Sequence, residues 1–287
     1  MRLFVRLQIL RASLPSSSYH SPVPQDHVQL ICFDLGRVLV GICDDWPEAF
    51  TRAGVDAPAI FFDPAVQTEL IEFSRRHETG HLSVAAFDAQ VAALTGLDPH
   101  EVEAVCRAWL KTPYPGFETL LDRLEPTGVQ TACLSNTNAA HWHIMTGDGS
   151  DGRNRLPLNV LNHRFASHLI GAMKPDARIY EHVEAQTNTP PYRILFFDDS
   201  SHNCAAANAR GWRTHKIDPS GDPVTQMRDV LIAFGVLVFA QSTPTSIRAG
   251  LLIDGTGKTS QEVRILIEDG VITRMDRLRG AVTHDLS

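Results

Sequence analysis

The chain of 287 residues is constrained most by one repeated unit: a short apolar run that ends on a polar or acidic residue, followed by a stretch of helical periodicity. Gln29–Asp34 is such a run and closes on an acid. Val129–Leu134 is followed at once by Ser135, and Ile194–Phe197 by Asp198 and Asp199. Trp212–Ile217 is a further run of the same kind. Helical patterns lie between them: Phe117, Leu120, Leu121 and Leu124, then Ile179–Ala185 after Lys174-Pro175, Ala205–Arg210 closed by Gly211, and Thr225–Leu237. Alternating strands and helices of this kind form a parallel sheet with helices on both faces. Ligands of such sheets bind at the carboxyl ends of the strands, where these acids fall.

The expected fold is therefore α/β, a Rossmann-like parallel core built from residues 28–43 and 114–240. Residues 44–113 interrupt it and read as an all-helical cap. Val84, Phe87, Val91 and Leu94 share one helical face behind Ser83 as N-cap. Val102, Val105, Cys106, Trp109 and Leu110 repeat the pattern, with Asp98 as N-cap, Pro99 in the first turn and Glu101 closing a capping box. Residues 241–287 break the rhythm. Ala249–Ile253, Glu262–Ile267 and Val271–Thr273, with an Asp269-Gly270 turn, read as a short β appendage.

Composition narrows the partners. The 26 Lys+Arg against 33 Asp+Glu leave a formal charge of −7, so an extended phosphate-neutralising face, and with it nucleic-acid binding, is not expected. The longest apolar stretch, Val230 to Ala240, falls well short of the ~20 residues of a membrane helix. Five cysteines without a CxxC pair point to a reducing, cytoplasmic setting and buried thiols, Cys32 and Cys133 in core strands among them. Residues 1–27 carry Arg2, Arg6 and Arg11, no acid before Asp26 and a Ser/Pro-rich run. They read as a disordered tail, with organelle targeting as the alternative. Nothing in the sequence sets an oligomeric state.

Four polar segments are expected to meet in one crevice. They are Phe33-Asp34-Leu35-Gly36-Arg37, Leu134-Ser135-Asn136-Thr137-Asn138, Met173-Lys174-Pro175-Asp176 and Phe196-Phe197-Asp198-Asp199-Ser200. Carboxylates, a hydroxyl and an ammonium suit phosphoryl transfer through an aspartyl-phosphate. A carboxylate nucleophile and a phosphate repel, so a cation is needed between them. Mg²⁺ fits, because it takes oxygen ligands and accepts one or two carboxylates plus substrate phosphate. A hydroxyl and a lysine can hold the remaining phosphoryl oxygens.

In these four segments, over residues 28–235, the chain resembles the haloacid dehalogenase-like hydrolase superfamily, and within it the small helical-cap subgroup that includes glucose-1-phosphate phosphatase type enzymes. The run Glu78-Thr79-Gly80-His81-Leu82-Ser83 and the run Lys174 to Tyr180 are similar to segments there. The resemblance implies a Mg²⁺-dependent hydrolase of a small phosphorylated metabolite, a sugar phosphate or similar. Asp34 would be nucleophile and metal ligand, and Ser135 with the Asn136 backbone N–H would bind the phosphoryl group. Lys174 would bridge nucleophile and phosphate. The metal would be held by Asp34, the Gly36 backbone, Asp198 and Asp199, with Asp199 the direct ligand of the last pair and Asn203 steadying the loop.

One position departs from that pattern. Phosphatases of the superfamily usually carry a second Asp two residues after the nucleophile as general acid, and here Gly36 stands there. His77 and His81 are the replacements considered. The departure keeps two rivals open: a dehalogenase-type hydrolase, which shares the Asp nucleophile, and a non-catalytic binding module. The His141-Trp142-His143 triplet reads as packing, because no third metal ligand is evident. A second resemblance lies in residues 249–272, which are similar to the opening β-segment of amidohydrolases. The metal-binding HxH motif of that family has no counterpart here, His284 being the only nearby histidine, so a gene fusion or truncated frame is expected rather than a second active site.

Overall fold

The structure is a computed structural model and describes residues 27–147, 155–238, 245–253, 259–268 and 271–277. The expectations for residues 1–26 and for the Asp269-Gly270 turn lie outside the described residues. The chain enters through β1 (Leu30–Phe33) and turns into β2 (Val40–Ile42). Four helices follow: α1 (Trp46–Ala53), α2 (Pro64–Glu78), α3 (Val84–Thr95) and α4 (Pro99–Ala108). Next come β3 (Leu110–Pro113), α5 (Phe117–Leu124), β4 (Gln130–Ser135), α6 (Ala139–Thr146), β5 (His163–Ala166) and α7 (Ser167–Ile170). The core closes with α8 (Ala177–Thr187), β6 (Ile194–Asp198), α9 (Ser201–Ala209), β7 (Arg213–Lys216) and α10 (Pro223–Ala233).

The parallel sheet has the order β5-β4-β1-β6-β7. The chain leaves β1 towards β4 and β5 on one side and later fills β6 and β7 on the other. β1 is therefore the switch point, where a crevice opens at the carboxyl ends of adjacent strands. Strand side chains alternate between two cores. Ile31, Phe33, Cys133, Leu195 and Phe197 join α5 and α10 on one face. Leu30, Cys32, Ala132, Leu134 and Phe196 join α8 and α9 on the other. Burial of each large side chain contributes about 1.5–3 kcal/mol, and Phe33, Phe196 and Phe197 are fully buried.

Helices α1–α4 carry their own core, which includes Phe50, Phe61, Leu70, Phe87 and Val105. The caps read from the sequence hold: Ser83 accepts from Ala86 N–H, and Asp98 with Glu101 forms a complete capping box. The helical pattern does not run to residue 113, because Leu110–Pro113 is strand and pairs antiparallel with β2. Cys43 N–H donates to Trp109 O at 2.9 Å and Tyr114 N–H to Leu39 O at 2.9 Å. That two-stranded ribbon is where the helical unit enters and leaves the core.

Separately, β8 (Thr245–Ile253), β9 (Thr259–Glu268) and β10 (Val271–Arg277) form an antiparallel sheet of order β10-β9-β8. No described helix is long and apolar enough to cross a membrane.

Candidate active site

Register brings the polar ends together. Phe33 pairs with Phe197, and one residue on, Asp34 N–H donates to Phe197 O at 2.8 Å. Asp34 and Asp198 thus end neighbouring strands, and Ser135 ends β4 on the other side of β1. Lys174 arrives from the loop before α8. Its ammonium lies 2.8 Å from an Asp34 oxygen, 2.7 Å from Asp198 Oδ2 and 2.8 Å from Leu134 O. All three of its donor positions are used, and the side chain is buried. Burial alone would strip its charge, but the Asp34 and Asp198 carboxylates outweigh it and hold the ammonium above the usual lysine range. Burial pushes the Asp34 carboxyl up to about 7 against the pull of Lys174.

Asp198 is firmly held. Besides Lys174 it accepts from Ser200 N–H at 2.8 Å and from Asn203 Nδ2 at 3.1 and 3.2 Å. Asn203 therefore steadies this loop by gripping Asp198. Asp199 is freer. It is half-buried, and it meets the Arg37 guanidinium at 3.9 Å. Burial and then the Asp198 charge raise its pKa. One oxygen each of Asp34, Asp198 and Asp199 lie within 4.8 Å of one another. That hard oxygen donor set fits Mg²⁺. Three carboxylates against one buried ammonium also leave a negative charge for a cation to offset.

The Ser135 hydroxyl is buried, and its hydrogen bond to Asn136 O is long at 3.5 Å, so it is available to an incoming oxyanion. The Asn136 side chain clamps two loops: Nδ2 donates to Lys174 O at 2.8 Å, and Lys174 N–H donates to Asn136 Oδ1 at 2.8 Å. Thr137 is pinned to α7 by Ser167, whose hydroxyl accepts from Thr137 N–H and donates to Thr137 O.

Gly36 is bridged to Val40 and does not hold a positive φ; Arg37 does, at φ 60. Sequence reasoning passed over Arg37, which joins Asp44 at 3.0 Å to the rim at Asp199. The available signal was its place directly after the variant Gly36.

A cavity of about 850 Å³ lies between the helical unit and the core, and none of Asp34, Ser135, Lys174, Asp198 and Asp199 is in its wall. It is bounded by α2, α3 and α4 of the helical unit and by α6 of the core, and it begins at Asn138, three residues past Ser135. His77 is in its wall, but Nδ1–H donates to Leu82 O at 2.9 Å and the ring stacks on Phe87. Burial lowers its pKa, so it stays neutral and is a poor proton donor. His81 is exposed, lies outside the lining and bonds Thr79 at 2.9 Å. Neither histidine is placed as the expected replacement for the general acid. His141 donates to Cys106 O at 2.7 Å and receives Asn138 Nδ2 at 3.3 Å, a packing arrangement as expected. Among the described residues the only cluster able to hold a metal is that of Asp34, Asp198 and Asp199. All five cysteines are free, and burial pushes the Cys133 thiol up to about 12.

A family model of the haloacid dehalogenase-like hydrolases matches residues 28–211. The chain belongs to that family. The sesquiterpene phosphatase astK of Aspergillus oryzae is 30% identical over 124 residues, which span 42% of this chain and 60% of that protein. The acyl-CoA dehydrogenase family member 10 of mouse is 24% identical over 184 residues, 64% of this chain and 16% of that protein. The chain thus matches only part of the length of these curated relatives. A haloacid dehalogenase-like family enzyme of Bacteroides thetaiotaomicron, solved with magnesium and inorganic phosphate, superposes with a TM-score of 0.58 at 21% identity, covering 68% of this chain and 96% of that one. At that identity the likeness is one of fold.

Proposed function

We propose that the chain is a Mg²⁺-dependent phosphatase of a small phosphomonoester that works through an aspartyl-phosphate. The observation that carries the reading is Lys174 buried between Asp34 and Asp198, with Asp199 completing a three-carboxylate cluster. The name of the Aspergillus relative and the magnesium and phosphate in the Bacteroides structure agree with it.

Asp34, Asp199, the Gly36 carbonyl and Asp198 would hold the cation, which supplies charge to a dianionic substrate approaching a carboxylate. The Asp34 carboxylate attacks phosphorus; a P–O bond to Asp34 forms as the bond to the alcohol oxygen breaks. Lys174 fixes the attacking carboxylate and neutralises charge on the phosphoryl oxygens. The Ser135 hydroxyl donates to one of those oxygens. Water then attacks phosphorus, releasing phosphate and regenerating Asp34. The leaving oxygen must collect a proton, and with Gly36 in the usual position the loop after β1 does not supply it.

A dehalogenase also uses an Asp nucleophile, but the carboxylate cluster favours a reaction that needs a cation. Turnover of 4-nitrophenyl phosphate by the intact chain, with and without Mg²⁺, is the test. Mg²⁺-dependent release of phosphate is expected. Metal-independent release of halide from a 2-haloacid would replace this reading with the dehalogenase one, and phosphate binding without turnover would make the chain a binding module.

A further inference from the structure

The cavity between the helical unit and the core carries more negative charge than the one basic side chain in its wall, Arg107, offsets among the described residues. Three acids line it: Glu78 from α2, Asp88 from α3 and Glu103 from α4. Glu103 pairs with Arg107 at 3.5 Å. Glu78 and Asp88 have no hydrogen-bond or ion-pair partner among the described residues. Glu78 is the more telling of the two: it is half-buried in the cavity wall, and desolvation pushes its pKa to about 7. Burial and then the Glu103 charge push Asp88 to about 6.

The other polar groups do not compensate. Burial disfavours the charged forms of His77 and His141, lowering the pKa of each, and each gives a ring N–H to a carbonyl. His143 is exposed at the rim, and the Cys106 thiol is raised to about 12 by burial. Aromatic rings supply much of the remaining wall: Trp46, Phe87 and Trp109, with the two indoles 4.7 Å apart. Unpaired carboxylates beside aromatic faces attract a cation through charge and through the ring quadrupole together. A metal ion does not fit, since these acids form no metal-holding cluster.

We propose that this cavity binds an organic ammonium group, so that the phosphate ester accepted by the site is that of an amino alcohol. The second half of that statement rests on the phosphatase reading; the binding of the cation does not. A hydrocarbon in the same space would leave Glu78 and Asp88 without a partner, and a neutral polyol would give them hydrogen bonds but no countercharge. An ammonium would give them one while its methylene or methyl groups cover the indoles.

Calorimetric titration of the intact chain with choline, and with its neutral isostere 3,3-dimethylbutan-1-ol, reads the cavity alone. Choline is expected to bind about tenfold or more tightly than the isostere. The preference should grow as pH rises from 5 to 8, and Glu78→Gln and Asp88→Asn should each remove most of it. In parallel, kcat/KM for phosphocholine should exceed that for 3,3-dimethylbutyl phosphate by a similar factor. Choline binding with no turnover of any phosphate ester would support the cavity and sink the phosphatase reading. Equal affinity for choline and the isostere, in a chain that hydrolyses 4-nitrophenyl phosphate, would overturn the cavity proposal and leave the phosphatase reading standing.

Discussion

Lys174 is the residue on which the site's electrostatics turn. Among the described residues its ammonium is the only positive charge within hydrogen-bond distance of Asp34 and Asp198, both buried. Lys174→Met keeps the volume and removes the charge, leaving two like charges facing each other. A loss of about 3–5 kcal/mol is expected, read as a lower urea midpoint, together with loss of turnover. Glu78 makes the opposite prediction. Its carboxyl pKa is raised from 4.5 to about 7, so the native state holds the proton more tightly than the unfolded chain. Native stability therefore falls as pH rises from about 4.5 to about 7. Glu78→Gln should raise the unfolding free energy at pH 8 by on the order of 1–2 kcal/mol, discounted for solvent in the cavity, with no gain below pH 4.5. Gly36 offers a gain of function. A Cβ there would meet Ile42 Cδ1 at 3.4 Å, ordinary contact, and the backbone is outside the left-handed region. Gly36→Asp should raise kcat on alkyl phosphates more than on aryl ones, within the 10²–10⁴-fold range of general acid catalysis. Equal effects on both would mean that proton delivery does not limit the wild type.

The elements differ in how legibly they were written. β1, β4 and β6 are central, buried on both faces, and show as continuous apolar runs. Their terminal residues Asp34, Ser135 and Asp198 could be named from sequence for that reason. β5 was not seen, because His163-Arg164-Phe165-Ala166 is an edge strand whose first two residues reach solvent. α9 begins at Ser201 rather than Ala205, because Ser200 caps a polar first turn by accepting from Asn203 N–H. α10 stops at Ala233, although apolar residues continue to Leu237. Gly235 takes a positive φ, and Val236 and Leu237 fold back to donate to Leu231 O. The places of Arg37 at the rim and of Glu78 in the cavity wall could not be read from the sequence, because both depend on tertiary packing. One element prediction concerns the turn after α2, where Gly80 holds φ 73 against the carbonyl of His168 on α7. Gly80→Ala meets that carbonyl and costs about 1 kcal/mol from φ alone. The variant should raise KM more than it lowers kcat, because the helical unit shifts against the core while the carboxylate cluster stays in place.

At the scale of the whole molecule, the parallel sheet supplies chemistry and the helical unit supplies the cavity. The two-stranded ribbon of β2 and β3 is the connection between them. Every residue of the proposed site lies between Asp34 and Asp199, so a chain ending at Ala240 should keep its kcat. Its loss in a folded protein would make residues 241–287 part of the site's support. The central claim is that Asp34 itself carries the phosphoryl group. The direct measurement is to mix the intact chain with a phosphomonoester and Mg²⁺, quench in acid, reduce with borohydride and sequence the peptides by mass spectrometry. Reduction of an aspartyl-phosphate leaves homoserine, and this account predicts it at position 34 alone, in a yield that depends on Mg²⁺ and disappears in Asp34→Asn. Steady release of phosphate with position 34 unmodified, or with the modification on another residue, would contradict it.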